Sequence, residues 1–145
     1  MTKLNTRLAY FDWSESGIIK ATTHPIDPTP EEVEEYLAGF NTMISSVSGP
    51  YVIFVDASQA KWYNSKARTQ LALGADALQK KYEGRNQGSF VVVGSAIVKM
   101  SLQGINLIFK NQARQRVFTS YAKALAAARA KIAEVNKETP SSIKL

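Results

Sequence analysis

The feature that most constrains this chain is Tyr51-Val-Ile-Phe-Val55, an unbroken apolar run that stops abruptly at Asp56. A strand with one face in water alternates apolar and polar residues. A run that is apolar at every position reads as buried on both faces, as in a parallel sheet. Phe90-Val-Val-Val93 repeats the pattern. Two such strands within 145 residues point to helices packed on a sheet in one domain. Both runs end in small or polar turns, Asp56-Ala-Ser58 and Gly94-Ser95. In open α/β sheets that carboxyl-terminal edge is where ligands and partners bind.

The remaining segments supply the layers. Leu4 to Trp13 carries alternating bulky residues, Leu8 and Tyr10 on one face and Ala9, Phe11 and Trp13 on the other. Ser14-Glu-Ser-Gly17 links it to the β-branched run Ile18 to Thr23, a hairpin signal, and Pro25 and Pro28 close that run. Thr29-Pro30-Glu31-Glu32 predicts a helix start, with Thr29 as cap, Pro30 at the first helical position and Glu32 completing a capping box. Val33, Tyr36, Leu37, Phe40, Met43, Ile44 and Val47 then recur at helical spacing until Ser48-Gly-Pro50.

A second helix is expected from a cap at Asn64 or Ser65 to about Tyr82, with Ala67, Leu71, Ala75, Leu78 and Tyr82 as its stripe. A third is expected over about Ala96 to Lys110. Arg116-Val-Phe118 reads as a short last strand, Thr119-Ser120 as a cap, and Ala122 to about Val135 as an alanine-rich final helix. The expected architecture is therefore a single α/β domain over residues 1–136. It has an N-terminal β-hairpin, then alternating α and β, in a mostly parallel mixed sheet of about five strands with about four helices. Residues 137–145 are expected to form a flexible C-terminal tail.

Composition removes several function classes. There is no cysteine, which excludes disulfides, thiolate metal sites and a cysteine nucleophile, and the single histidine, His24, leaves too few ligands for zinc. Neither a metal nor a cofactor is expected. The first residues lack the apolar core of a signal peptide and no run reaches membrane-spanning length, so a cytoplasmic location is expected. The net charge of +6 is spread along the chain. Nucleic-acid binders concentrate such charge and interleave it with aromatics, so a solvated basic surface is the favoured reading.

Val55-Asp56-Ala57-Ser58 after the third strand, and Arg116-Val-Phe-Thr-Ser120 ahead of the alanine-rich helix, resemble the STAS domain family, the sulfate transporter and anti-sigma-factor antagonist domains. The likeness is greatest to the bacterial stand-alone type and spans nearly the whole chain on short motifs. It implies a STAS-like fold and a regulatory module that binds other proteins rather than an enzyme. In regulatory members a kinase phosphorylates a serine in an Asp-Ser-Ser-Gly-like turn at the start of the second helix, and partner affinity changes. Asn64-Ser65-Lys66-Ala67 stands at that turn: Ser65 matches the acceptor position, while the aspartate, the second serine and the glycine are replaced. A phosphate on Ser65 would lie at a helix N-terminus, where the dipole and free amides favour an anion, with Lys66 beside it.

Other candidates are weaker. Asp56 sits at a strand end, but Gln59-Ala-Lys61-Trp62-Tyr63 offers no second carboxylate or histidine for acid–base work, so capping of the loop by Asp56 and Ser58 is the better reading. Trp62 and Tyr63 beside Lys61 suit an interaction surface, or fold back over the sheet edge. His24, ahead of Pro25, reads as a turn residue. In the third predicted helix Ile97, Val98, Leu102, Ile105, Ile108 and Phe109 form one stripe, which Met100 and Leu107 widen to roughly two-thirds of the circumference. The final helix, a second subunit or a lipid-like ligand would cover the excess.

The reading is a non-catalytic regulatory or protein-interaction module. Asp56, Ser58, Lys61, Trp62, Tyr63 and Lys66 form its interaction surface, Ser65 is the candidate phosphoacceptor, and Ile97, Met100, Ile105, Leu107 and Ile108 form a dimer or ligand surface. A carrier of a small apolar or lipid-like ligand is the alternative, and a nucleic-acid-binding protein a further one.

Overall fold

The computed structural model describes residues 1–61, 63–94 and 115–138. Among these, six strands form one sheet: Lys3–Asn5 (β1), Ala9–Asp12 (β2), Ile18–Thr23 (β3), Tyr51–Ala57 (β4), Asn86–Val93 (β5) and Gln115–Phe118 (β6). They lie side by side in chain order. β1, β2 and β3 pair antiparallel, and β3 through β6 pair parallel. The described helices are Pro30–Ser46 (α1), Ser65–Lys81 (α2) and Tyr121–Glu138 (α3). This is the mixed, mostly parallel α/β sheet expected from the sequence.

Two details refine the expectation. Leu4 to Trp13 is not one strand but two, because the chain turns at Thr6. The Thr6 amide and hydroxyl both donate to the Ala9 carbonyl, at 2.8 and 2.9 Å, and the hydroxyl accepts the Ala9 N–H at 3.1 Å. A short hydroxyl side chain that bonds nearby backbone competes with the ladder and diverts it. The final helix continues through Lys137 and Glu138, two residues placed by the sequence in the tail. The segment Ala96 to Lys110, expected as the third helix, lies outside the described residues, as does 139–145.

β4 is the centre of the sheet and feeds two cores, as its unbroken apolar run requires. On one side Tyr51, Val55 and Ala57 join Val91 and Val93 of β5 and Ala9, Phe11 and Trp13 of the N-terminal hairpin, beneath Phe40, Met43 and Ile44 of α1. On the other, Val52 and Phe54 join Ile18, Phe90 and Val92 against Ala124, Ala128 and Ile132 of α3. Alanine at the two fully buried positions of α3 lets its backbone lie close to the bulky strand residues. Burying a side chain such as Phe54 contributes about 2–3 kcal/mol.

α1 begins as its sequence demands. Glu32 N–H donates to Thr29 Oγ1 at 3.2 Å and Thr29 N–H donates to Glu32 Oε1 at 2.9 Å, with Pro30 at the first helical position. In mid-helix, Gly39 allows close approach to β2, since a Cβ there would stand 2.3 Å from Phe11 Cε2. α2 lies beside α1 on the same face, its Leu78 and its C-cap Tyr82 packing on the α1-side core. Consecutive crossovers of one hand give that arrangement. No helix among the described residues is long and apolar enough to cross a membrane.

Candidate functional site

Because β3, β4 and β5 are parallel, their carboxyl ends open on one edge of the sheet. There Asp56 Oδ1 accepts the Ser58 N–H at 3.0 Å, and Ala60 N–H donates to the Ala57 carbonyl at 3.0 Å, which turns the chain out of β4. A carboxylate bonding the amide two residues on is the ordinary local chemistry of aspartate in turns. Gly94, at the end of β5, presses against this turn: a Cβ on it would stand 2.4 Å from the Ser58 carbonyl oxygen. Backbone meets backbone here, and only glycine fits.

The turn is stapled at its far end as well. Asn64 is the cap of α2, its side-chain oxygen accepting the Ala67 N–H at 2.8 Å. Its amide nitrogen donates to Asp27 Oδ1 at 3.1 Å, tying the β4–α2 turn to the β3–α1 loop. Tyr63, half-buried, folds back over the sheet edge, and its hydroxyl shares a hydrogen bond with the Thr23 side chain. Burial pushes the Tyr63 hydroxyl well above the usual tyrosine range; the bond with Thr23 opposes this and the charge of Asp27 adds to it. Tyr36 of α1 is pushed up in the same way, by burial and then by Tyr63. Arg68 Nη1 donates to the Tyr63 carbonyl at 2.7 Å.

Against this anchored base the candidate residues divide into two groups. Asp56, Ser58 and Tyr63 are half-buried and engaged in holding the turn, whereas Lys61, Ser65 and Lys66 are exposed. Ser65 is the first residue of α2 rather than its cap. Trp62, and Ile97, Met100, Ile105, Leu107 and Ile108, lie outside the described residues. His24 stays in its turn, Nε2 standing 3.1 Å from Asn5 Oδ1. Among the described residues no group of three or more His, Asp or Glu side chains is placed to hold a metal ion. The exposed part of the edge thus offers a hydroxyl and two cations at a helix start, groups suited to an acidic surface.

Sequence reasoning missed Asp27 and Thr23 as anchors, and it missed Leu73. Leu73 is 63% exposed on the outer face of α2, with Lys66 and Lys80 one heptad away on either side. A helical wheel would have found it, since it points away from the Leu71, Ala75 and Leu78 stripe.

No family model matches the chain, and no curated protein does. A solved structure does: an uncharacterised protein of the DUF3478 family from Shewanella loihica PV-4, described as having a SpoIIAA-like fold, is similar at a TM-score of 0.57 and 12% identity. The likeness covers 86% of this chain and 98% of that one. The fold is STAS-like. At that identity the fold is what the likeness shows. In this STAS-like fold the turn that leads to Ser65 stands between β4 and α2 at the carboxyl edge of the sheet.

Proposed function

We propose that this STAS-like domain is a non-catalytic protein-interaction module that docks a partner on the exposed part of its β4–α2 turn. Lys61, Ser65 and Lys66 supply polar contacts, Trp62 is the proposed aromatic contact, and Asp56, Ser58 and Tyr63 form the base that holds the surface. The observation that carries this reading is the stapling of the turn by Asp27, Asn64 and Thr23, while Lys61, Ser65 and Lys66 remain exposed. A surface held in place before binding loses little conformational freedom on docking, and its charge suits an acidic partner.

Phosphorylation of Ser65 would be the switch. It adds about −1.5 to −2 charge at the first turn of α2 and cancels most of the positive charge of Lys61 and Lys66 that an acidic partner meets. The test is affinity capture from cells of the source organism with wild type and with the Lys61→Glu/Lys66→Glu double variant. A protein retained by wild type and lost by the variant supports docking at the turn. Equal recovery by both removes it. Mass spectrometry of the domain from the same cells reads whether Ser65 carries phosphate.

A further inference from the structure

α1 and α2 present two outward stripes that complement one another. Gln70 Nε2 donates to the Pro30 carbonyl at 2.9 Å and to Glu34 Oε1 at 3.0 Å, Gly74 abuts Leu37, and Lys81 Nζ donates to Asn41 Oδ1 at 2.9 Å. These contacts hold the helices side by side, pointing the same way, with Leu73 within about one turn of Ala38 along the helix axes. On α1, Glu31, Ala38 and Ser45 are exposed at heptad spacing; on α2, Lys66, Leu73 and Lys80 are exposed at the same spacing. Heptad spacing puts each trio on one line along its helix. The upper ends carry opposite charge, the middles are apolar, and the lower ends pair a hydroxyl with an ammonium group.

We infer that this face is a homodimer interface, with α1 of one copy lying on α2 of the other. A symmetric interface requires that residue i meets j and j meets i. A two-fold axis parallel to the helices and running between them satisfies that: it sets Leu73 on the partner subunit's Ala38, Glu31 beside the partner subunit's Lys66, and Lys80 beside the partner subunit's Ser45. An axis across the helices would instead stack α2 on α2, driving Lys66 towards Lys80. Within the single chain Lys80 pairs with Asp76 at 3.1 Å, an exposed contact that leaves it free to turn towards a serine hydroxyl. Each helix has 17 residues, so the pair offers a footprint of about 25 by 20 Å, or about 1,000 Å² buried over both copies. That is below the size of stable specific interfaces and suits a weak, concentration-dependent dimer.

Sedimentation velocity of the full chain, from low-micromolar to submillimolar concentration, is the test. Wild type should dimerise reversibly, more weakly at high salt. Leu73→Asp should weaken the dimer at least about tenfold, as expected for a central apolar anchor. Glu31→Lys should weaken it severalfold, and adding Lys66→Glu in the same chain should restore it. A wild type that stays monomeric overturns the inference, as does a dimer indifferent to Leu73→Asp or a charge swap that fails to restore association. Glu31 and Leu73 lie outside the β4–α2 turn, so failure of the dimer is distinguishable from failure of partner docking there.

Discussion

Gly39→Ala tests how tightly α1 is seated on the sheet that carries the interaction edge. In an exposed helix interior, alanine in place of glycine stabilises by about 1 kcal/mol. Here the new methyl would meet Phe11 Cε2 at 2.3 Å, Cζ at 2.9 Å and Cδ2 at 3.0 Å. Comfortable carbon contacts begin near 3.5 Å, so ring or helix must shift by about 1.2 Å. Phe11 is fully buried and held between Tyr36 and Phe40, at ring-centroid distances of 5.6 and 5.1 Å. With no empty rotamer to enter, the overpacking cost falls at the upper end of its range, about 3 kcal/mol. The net result is a loss of about 2 kcal/mol, or about 6–8 °C in Tm for a domain of this size.

Gly74→Ala is the control. Its methyl would also meet an atom at 2.3 Å, but that atom is Leu37 Cδ1, the end of a flexible, half-buried side chain. A rotamer change of about 0.5–1 kcal/mol absorbs the contact and cancels the helix gain, leaving stability within about 0.5 kcal/mol of wild type. Urea unfolding followed by circular dichroism, with thermal scans, reads both variants. A Gly39→Ala protein as stable as wild type would refute the reasoning, and so would a Gly74→Ala protein that falls equally far.

Glu15 joins the β2–β3 turn to α3: Arg129 Nε donates to it at 2.9 Å and Lys20 Nζ at 2.9 Å. Arg129, aided by Lys20, holds its carboxyl at about 2, against an ordinary 4.5. A depressed folded pKa stabilises above the unfolded value and is lost as pH falls. The stability gap between wild type and Glu15→Gln, under about 1 kcal/mol for so exposed a pair, should therefore be full at neutral pH, shrink below pH 4.5 and vanish near pH 2; a gap constant with pH contradicts this. Phe54→Ala, at a site 1% exposed beneath α3, should cost about 3–5 kcal/mol in urea unfolding; a loss below about 1 kcal/mol would mean that α3 does not seal this core. Thr29→Ala breaks the capping box of α1 and should cost about 1 kcal/mol, which Thr29→Ser largely restores.

The parts of the fold legible in the sequence are those where local chemistry and global packing agree. The capping box at Thr29 and Glu32, the buried runs of β4 and β5, and the hairpin at Ser14 to Gly17 all announce themselves within a few residues. Thr6 does not. Its side chain suits a strand, and only its bonds with Ala9 divert the chain. The edge was legible as a place and less so as a structure. Asp56 and Ser58 mark where the chain leaves β4, but the anchors Thr23 and Asp27 come from another loop, and no spacing pattern links them to Tyr63 and Asn64. Gly94 is similar. Its need for glycine comes from the Ser58 carbonyl in the turn after the neighbouring strand, a contact made because β4 and β5 pair and not by sequence proximity.

Hydrogen exchange, measured on the domain alone and on its complex with a partner captured by wild type but not by the Lys61→Glu/Lys66→Glu variant, tests docking at the β4–α2 turn most directly. The expected result is added protection at amides from Ser58 through Ala67, with α3 unchanged. Protection confined to the exposed face of α3 around Ala122 and Ala126, with the turn exchanging as in the free domain, would contradict it.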